Sequence, residues 1–260
     1  MQPYGLRFGA AATDKVDCGA FGAIGVPAAA TWAVWFIPTT QADAGHRLVA
    51  KATMQMSYAN ASNNRVVFEA PRATTFTRAL TEAANFPVNW TTRLGAPVFM
   101  AGTMDLSAGL PKLYMGDLNT PVSEPSAYVT QTLGSGAGTD TTGNNLTLCG
   151  IGSIPTIGTA LWAFVSIAEL TLAEIMRLKN VMALNVVPRD FRGYVSSWRL
   201  GTNGTGLVID ESGRGNHGTI TGATLASNMT NLGRLGPGIR PRVFDWYIGP
   251  SAPGYLLVAN

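Results

Sequence analysis

The stretch from Val195 to Leu225 limits most strongly what this chain can fold into. A short β-prone run carries Trp198, and a glycine-rich turn follows at Gly201, Gly204 and Gly206. Asp210-Glu-Ser-Gly213 then leads into Gly215-Asn-His-Gly218 and a β-prone tail, Thr219-Ile220-Thr221. Asp, Ser and Asn suit a compact loop because their side chains bond nearby backbone, and Gly reaches positive φ without a clash. The spacing of Gly213, Gly215 and Gly218 also matches a dinucleotide-binding fingerprint, which needs a helix directly after it. A β-prone run follows instead, so the loop is read as structural.

The totals bound the rest. A chain of 260 residues buries roughly three quarters of its unfolded surface, so its core needs neither disulfide nor metal. Charged residues are only 13% of the chain, about half the usual share. Such a surface is expected to be covered in part by partners. The net charge is +3, with Arg outnumbering Lys fourteen to four, and the basic residues are dispersed. No run of them tracks a phosphate backbone, which argues against nucleic acid as partner. Cys18 and Cys149 are read as two buried free thiols, with one disulfide as the alternative. The first residues lack the charged and apolar regions of a secretory signal, and the longest apolar run, Ala160 to Ala168, is too short to span a bilayer. Folding in a cytoplasm, without a membrane, is the expectation.

Read in order, the chain is mostly strands. Ala30 to Ile37 is apolar on both faces, with Trp32, Val34 and Phe36 on one side and Trp35 and Ile37 on the other. That pattern fits a central strand covered twice. Leu48 to Ser57, Arg65 to Ala70, Thr74 to Thr81, Pro97 to Met104, Lys112 to Met115, Val122 to Gln131, Leu146 to Cys149 and Leu161 to Ala168 are the other β-prone segments. The run Gly134 to Gly143 reads as the least structured loop. Thr171 and Glu174 have capping-box spacing and start one helix, about Leu172 to Met182, with Leu172, Ile175, Met176 and Met182 on a face.

These segments carry a family resemblance. The Trp198 strand followed by Asp210-Glu-Ser-Gly-Arg-Gly-Asn-His-Gly218 resembles the opening of laminin-G-like, concanavalin A-like sandwich domains. Leu6-Arg-Phe8 followed by Asp14-Lys-Val16 and Gly19 resembles the family's next strands. Phe164 to Leu170, leading into Thr171 and Glu174, resembles its closing strand and terminal helix, without the family's Trp-Asn-Arg between them. The order differs from the family's, because the segment that opens the family pattern here follows the helix. The resemblance therefore implies an all-β, two-sheet antiparallel jelly-roll sandwich with one short helix over residues 1–226, circularly permuted, in which 194–226 supplies the family's first strands. Val195 to Leu225 should then fold back beside Gly5 to Gly19, or complete a neighbouring copy.

The candidate sites follow. Relatives of this fold often bind calcium at a sandwich rim, and Asp14, Asp17, Asp210 and Asn216 are the oxygen donors that the permuted docking would gather. The alternative is that Asp210 and Asn216 cap their own turn. A sugar-binding rim would use exposed aromatics, for which Trp90 and Tyr128 are the candidates. No catalytic residues are assigned: Asp210 and Glu211 are adjacent, no Glu-x-Asp-x-x-Glu string occurs, and His217 reads as a hydrogen-bonded loop residue. Residues 227–260 form an arm in which Arg234, Arg240 and Arg242 alternate with Gly and Pro, ahead of Phe244, Trp246 and Tyr247. Arginine and large aromatics suit an interface, so the arm is expected to bridge to a second copy or to a capsid shell, or else to wrap its own sandwich. The expectation is a non-enzymatic virion structural protein, such as a phage capsid decoration protein binding the major capsid protein. The alternative is a carbohydrate-binding, lectin-like module that contacts surface glycans.

Overall fold

The computed structural model describes residues 5–226 apart from 10, 12, 21, 26–27, 40–45, 59–63, 108, 152–153, 156–157 and 202–205. The arm residues Arg234, Arg240, Arg242, Phe244, Trp246 and Tyr247 lie outside the described residues. The strands are β1 (Leu6–Phe8), β2 (Lys15–Ala20), β3 (Ala29–Pro38), β4 (His46–Lys51), β5 (Met54–Tyr58), β6 (Arg65–Pro71), β7 (Phe76–Glu82), β8 (Val98–Asp105) and β9 (Lys112–Asp117). They continue with β10 (Thr130–Thr132), β11 (Asn145–Leu148), β12 (Gly150–Ile151), β13 (Ile154–Pro155) and β14 (Gly158–Ser166). After the helix α1 (Leu172–Ala183) come β15 (Tyr194–Arg199), β16 (Leu207–Val208), β17 (Gly218–Thr221) and β18 (Thr224–Leu225).

Two antiparallel sheets form a sandwich. A seven-stranded sheet runs β18-β1-β14-β3-β8-β9, with β15 also paired to β14. A nine-stranded sheet runs β10-β7-β6-β5-β4-β11-β2-β17-β16. The late strands do dock on the early ones, within one chain. Asp17 faces Thr219 in the β2–β17 pair, Leu6 faces Leu225 in the β1–β18 pair, and the Ala226 amide donates to the Gly5 carbonyl at 3.0 Å.

β3 is covered on both faces, as its composition requires. Trp32, Val34 and Phe36 enter the core between the sheets. Ala33, Trp35 and Ile37 face a second core under α1. Trp35 Nε1 satisfies its polar edge by donating to the Lys179 carbonyl at 3.2 Å. The helix begins at the capping box: the Glu174 amide donates to Thr171 Oγ1 and the Thr171 amide to Glu174 Oε2. Its buried stripe is Ile175, Leu178, Lys179 and Met182, while Leu172 and Met176 are exposed. This corrects the face read from sequence. The stripe has regular i, i+3, i+4, i+7 spacing, but the lysine within it hides the pattern. Lys179 buries its stem and Nζ donates to the carbonyls of Asp117 (2.8 Å) and Thr120 (3.1 Å).

Glu174 also holds Arg192 by two hydrogen bonds of 2.7 Å. The Arg192 guanidinium, with the Thr171 donors, brings its carboxyl down from an ordinary 4.5 to about 2. The folded value is depressed, so this contribution is complete above about pH 4.5 and disappears as pH falls toward 2. Glu174→Ala is expected to cost about 1 kcal/mol at neutral pH, lowering the melting temperature by roughly 2–4 °C. Melting curves of wild type and variant should converge as the pH approaches 2; a constant gap would contradict this role.

Two further expectations are corrected. Leu48 to Ser57 is not one strand: β4 and β5 meet at a tight turn in which Ala52 takes φ 52°. Such two-residue connections need positive φ, and no Gly or Asn there announces it. The Gly134–Gly143 run is held down firmly. The Gly134 amide donates to Thr77 Oγ1 (3.0 Å), Ala73 to the Ala137 carbonyl (2.9 Å) and Thr141 to the Gly25 carbonyl (2.9 Å). Lys51, fully buried, donates Nζ to the carbonyls of Thr141 and Asn144. The run therefore gets its order from long-range partners that its small, turn-forming residues do not advertise.

Candidate functional site

The polar loop read first in the sequence is organised around Asp210. This carboxylate is buried. It accepts from Ser196 Oγ, the Ser212 amide (2.9 Å) and hydroxyl (2.6 Å), and the Asn216 amide (3.0 Å) and Nδ2 (3.2 Å). The Asp210 amide donates to His217 Nδ1 at 3.0 Å, and Trp198 Nε1 donates to the Asn216 carbonyl at 2.8 Å. Gly213 and Gly215 take φ 79° and 78°, which the loop's reversal demands. Burial alone would push the Asp210 carboxyl up, but the donors from Ser196, Ser212 and Asn216 outweigh it and hold it below the ordinary value. Asp210 and Asn216 thus cap their own turn.

The other proposed cation ligands are engaged separately. Asp14 Oδ2 accepts from the Gly9 amide at 2.8 Å, and Gly222 approaches so closely that a Cβ there would lie 2.0 Å from Asp14 Oδ1. Asp17 accepts from the Gly19 amide (3.0 Å) and from Asn145 Nδ2 (2.9 and 3.1 Å). Among the described residues no three His, Cys, Asp or Glu side chains form a group that could hold a metal ion. Cys18 and Cys149 are buried free thiols, and burial pushes both up from the ordinary thiol value.

Of the two aromatics expected at a rim, Trp90 is not on one. Trp90 is fully buried in the inter-sheet core, 4.9 Å from the Tyr58 ring in an edge-to-face contact. Its neighbours Asn89, Thr91 and Thr92 look like an exposed loop, but they form a short 3-10 turn in which Asn89 Oδ1 accepts from the Thr91 amide and hydroxyl. Tyr128 is half-buried, and its hydroxyl accepts from the Leu113 amide at 3.0 Å. It serves to fasten the crossing from β9 to β10.

The surface that sequence reading missed is the outer face of the nine-stranded sheet. The inner positions of β5, β6 and β7 are Met54, Met56, Tyr58, Val66, Phe68, Ala70 and Ala79. Alternation sends Gln55, Ser57, Arg65, Val67, Glu69, Phe76, Arg78, Leu80 and Glu82 to the other side. Across this face Gln55 lies opposite Glu69, Glu69 opposite Arg78, and Arg78 opposite Thr132. Glu69 is nearly buried, yet Arg78 reaches it from Nε and Nη2, each at 2.6 Å, and Gln55 Nε2 donates to its Oε1. The Arg78 guanidinium lies 5.3 Å from the centroid of Phe76. Phe76 is 42% exposed, and it alone among the described Phe, Tyr and Trp side chains is exposed. The outer face of the other sheet, by contrast, is covered by α1 and by residues such as Val187 and Phe191. A usable signal was present: Arg65 and Glu69, like Arg78 and Glu82, occupy alternate positions of neighbouring strands and mark a wet face, and Phe76 shares that parity.

No model of a protein family matches this chain, and no curated protein sequence matches it. Solved structures do share its fold. A protein from Bacteroides ovatus ATCC 8483, proposed to bind carbohydrate, matches with a TM-score of 0.55 at 15% identity, over 86% of this chain and 60% of that one. The chain thus spans about 60% of that protein's length. The CBM40 module of the Ruminococcus gnavus IT-sialidase, bound to α2,3-sialyllactose, matches at 16% identity and TM-score 0.48, over 69% of this chain and 97% of that one. Tailspike protein 2 of Escherichia coli O157:H7 bacteriophage CAB120 matches at 14% identity and TM-score 0.46, over 68% of this chain and 24% of that one. At these identities the likeness is one of fold, a two-sheet antiparallel β-sandwich.

Proposed function

We propose that this chain is a carbohydrate-binding sandwich that holds a glycan without turning it over. The observation that carries the reading is the outer face of the nine-stranded sheet. Its outward positions carry hydrogen-bonding side chains of mixed sign, from Asp17 and Asn145 through Gln55, Glu69 and Arg78 to Thr132, of which Asn145 and Thr132 are exposed, Asp17, Gln55 and Arg78 half-buried and Glu69 buried. Sugars are bound by such arrays because every hydroxyl needs a donor or acceptor in place of water. The sandwich shared with the Bacteroides ovatus protein supports the same activity. The absence of turnover is part of the proposal. Hydrolysis needs two carboxylates flanking one glycosidic bond, and the four buried ones among the described residues, Asp14, Glu69, Asp117 and Asp210, already accept from protein donors. Binding to a printed oligosaccharide array is expected, with no release of reducing ends from the bound sugars. An array without a single saturable ligand would overturn the reading.

A second reading, a virion structural protein of the decoration type, rests on the arginine and aromatic content of residues 227–260. It places the protein on a particle, against the major capsid protein or a second copy. Mass spectrometry of purified particles tests it, and absence from them would end it.

A further inference from the structure

We propose that Phe76, Arg78, Glu69 and Gln55 form the saccharide subsite of this sheet face, and that the sugar it takes is a hexopyranose with its apolar C–H face on the Phe76 ring. The inference rests on the carbohydrate-binding reading and locates the site within it.

The described tryptophans and the other described phenylalanines are buried, while this ring is left to solvent at the start of β7. Its backbone, however, is clamped. Thr132 Oγ1 donates to the Phe76 carbonyl at 3.3 Å, and Gly134 packs so closely that a Cβ there would come within 2.7 Å of the Phe76 carbonyl carbon. The Arg72 amide closes the preceding turn onto the Thr75 carbonyl at 3.1 Å. An exposed ring on a fixed backbone presents apolar area that loses little entropy when something stacks on it.

The polar half of the subsite adjoins the ring. Glu69 fixes Arg78 through two nitrogens and is itself held by Gln55. The Arg78 side chain remains 38% exposed, and a guanidinium has five N–H donors in a fixed fork. The group therefore meets a ligand with its donors already oriented, as a preorganised site requires. A pyranose is the chemistry that matches an aromatic face beside a donor–acceptor cluster. Its axial C–H groups form an apolar patch, and its ring hydroxyls lie at the rim, where the N–H groups of the part-exposed Arg78 that Glu69 does not use can donate to them.

The test is array binding by the full chain, followed by titration of the strongest hexose-containing oligosaccharide with Phe76→Ala, Phe76→Trp and Arg78→Ala. Phe76→Ala should weaken binding about tenfold or more, the loss of one stacked ring. Phe76→Trp should stay within about threefold of wild type, since the stacking area is kept. Arg78→Ala should weaken binding at least as much as Phe76→Ala. Because Phe76 is exposed, the melting temperature of Phe76→Ala should stay near wild type, so any loss reads on binding. If the wild type binds and Phe76→Ala and Arg78→Ala bind equally well, the subsite is elsewhere while the activity stands. A wild type that binds no saccharide overturns both.

Discussion

Asp210→Ala should destabilise the fold by roughly 3–5 kcal/mol, because several buried donors lose their shared acceptor at about 1–3 kcal/mol each. Two of those donors are backbone amides, of Ser212 and Asn216, which have few alternatives in a loop this tight. A third, the Ser196 hydroxyl, is fully buried. For a domain of this size the loss corresponds to a fall in melting temperature of about 6–20 °C. Asp210→Asn keeps one acceptor oxygen and should lose about half as much. The carboxyl is held below its ordinary 3.8 by these donors, so its contribution is present above that value and fades as pH drops. The gap between wild type and Asp210→Ala should accordingly narrow in acid. Chelation should move neither melting curve, since the oxygens a cation would need are occupied by donors. Circular dichroism melts at neutral and acid pH measure all of this. A loss below about 1 kcal/mol would show that the loop does not depend on its hub.

Gly102→Ala is the second large effect, about 3 kcal/mol, from overpacking a core that cannot yield. Gly102 sits in β8 between Trp32 and Leu113, and a Cβ there would lie 2.3 Å from Cγ of Phe68 on the facing sheet. Phe68 cannot swing away. It is fully buried, and its ring meets Trp32 edge to face at 5.9 Å. The expected fall in melting temperature is about 6–12 °C. Phe68→Leu removes the obstructing ring, so the two substitutions together should cost at least about 1 kcal/mol less than the sum of their separate costs. Additive costs in denaturant unfolding would place the strain somewhere other than this contact.

The fold was legible where one sequence pattern has one physical solution. An apolar strand such as Ala30 to Ile37 must be covered twice, and the Thr171/Glu174 pair can only open a helix; both appear as expected. The Asp210 loop was legible because Asp, Ser, Asn and Gly at that spacing have little else to do than bond one another. The site was not. Trp90 was misplaced because polar neighbours signal exposure only when their own bonds point outward, and here Asn89 and Thr91 bond locally while the ring turns inward. Phe76 was passed over because a single aromatic in a strand is ordinarily core. The parity that Phe76 shares with Arg78 and Glu82 could have placed it on the wet face, but that this face carries a cluster reaching Glu69 and Gln55 depends on the register of β7 with β6 and β5, which is a tertiary fact.

The pairing of β2 with β17 also has a consequence in time. A ribosome adds about 5–20 residues per second, so the roughly 200 residues between Asp17 and its partner Thr219 take on the order of 10–40 seconds to appear. Until β11 is made, the strand of Val16 and Cys18 has neither of its neighbours, and for the rest of the interval its β17 edge is still waiting. A nascent or truncated chain therefore offers a sticky edge to its siblings on the same polysome. Release of the last strands is what closes it, which makes early termination more hazardous for this sandwich than for one whose neighbouring strands are made in succession.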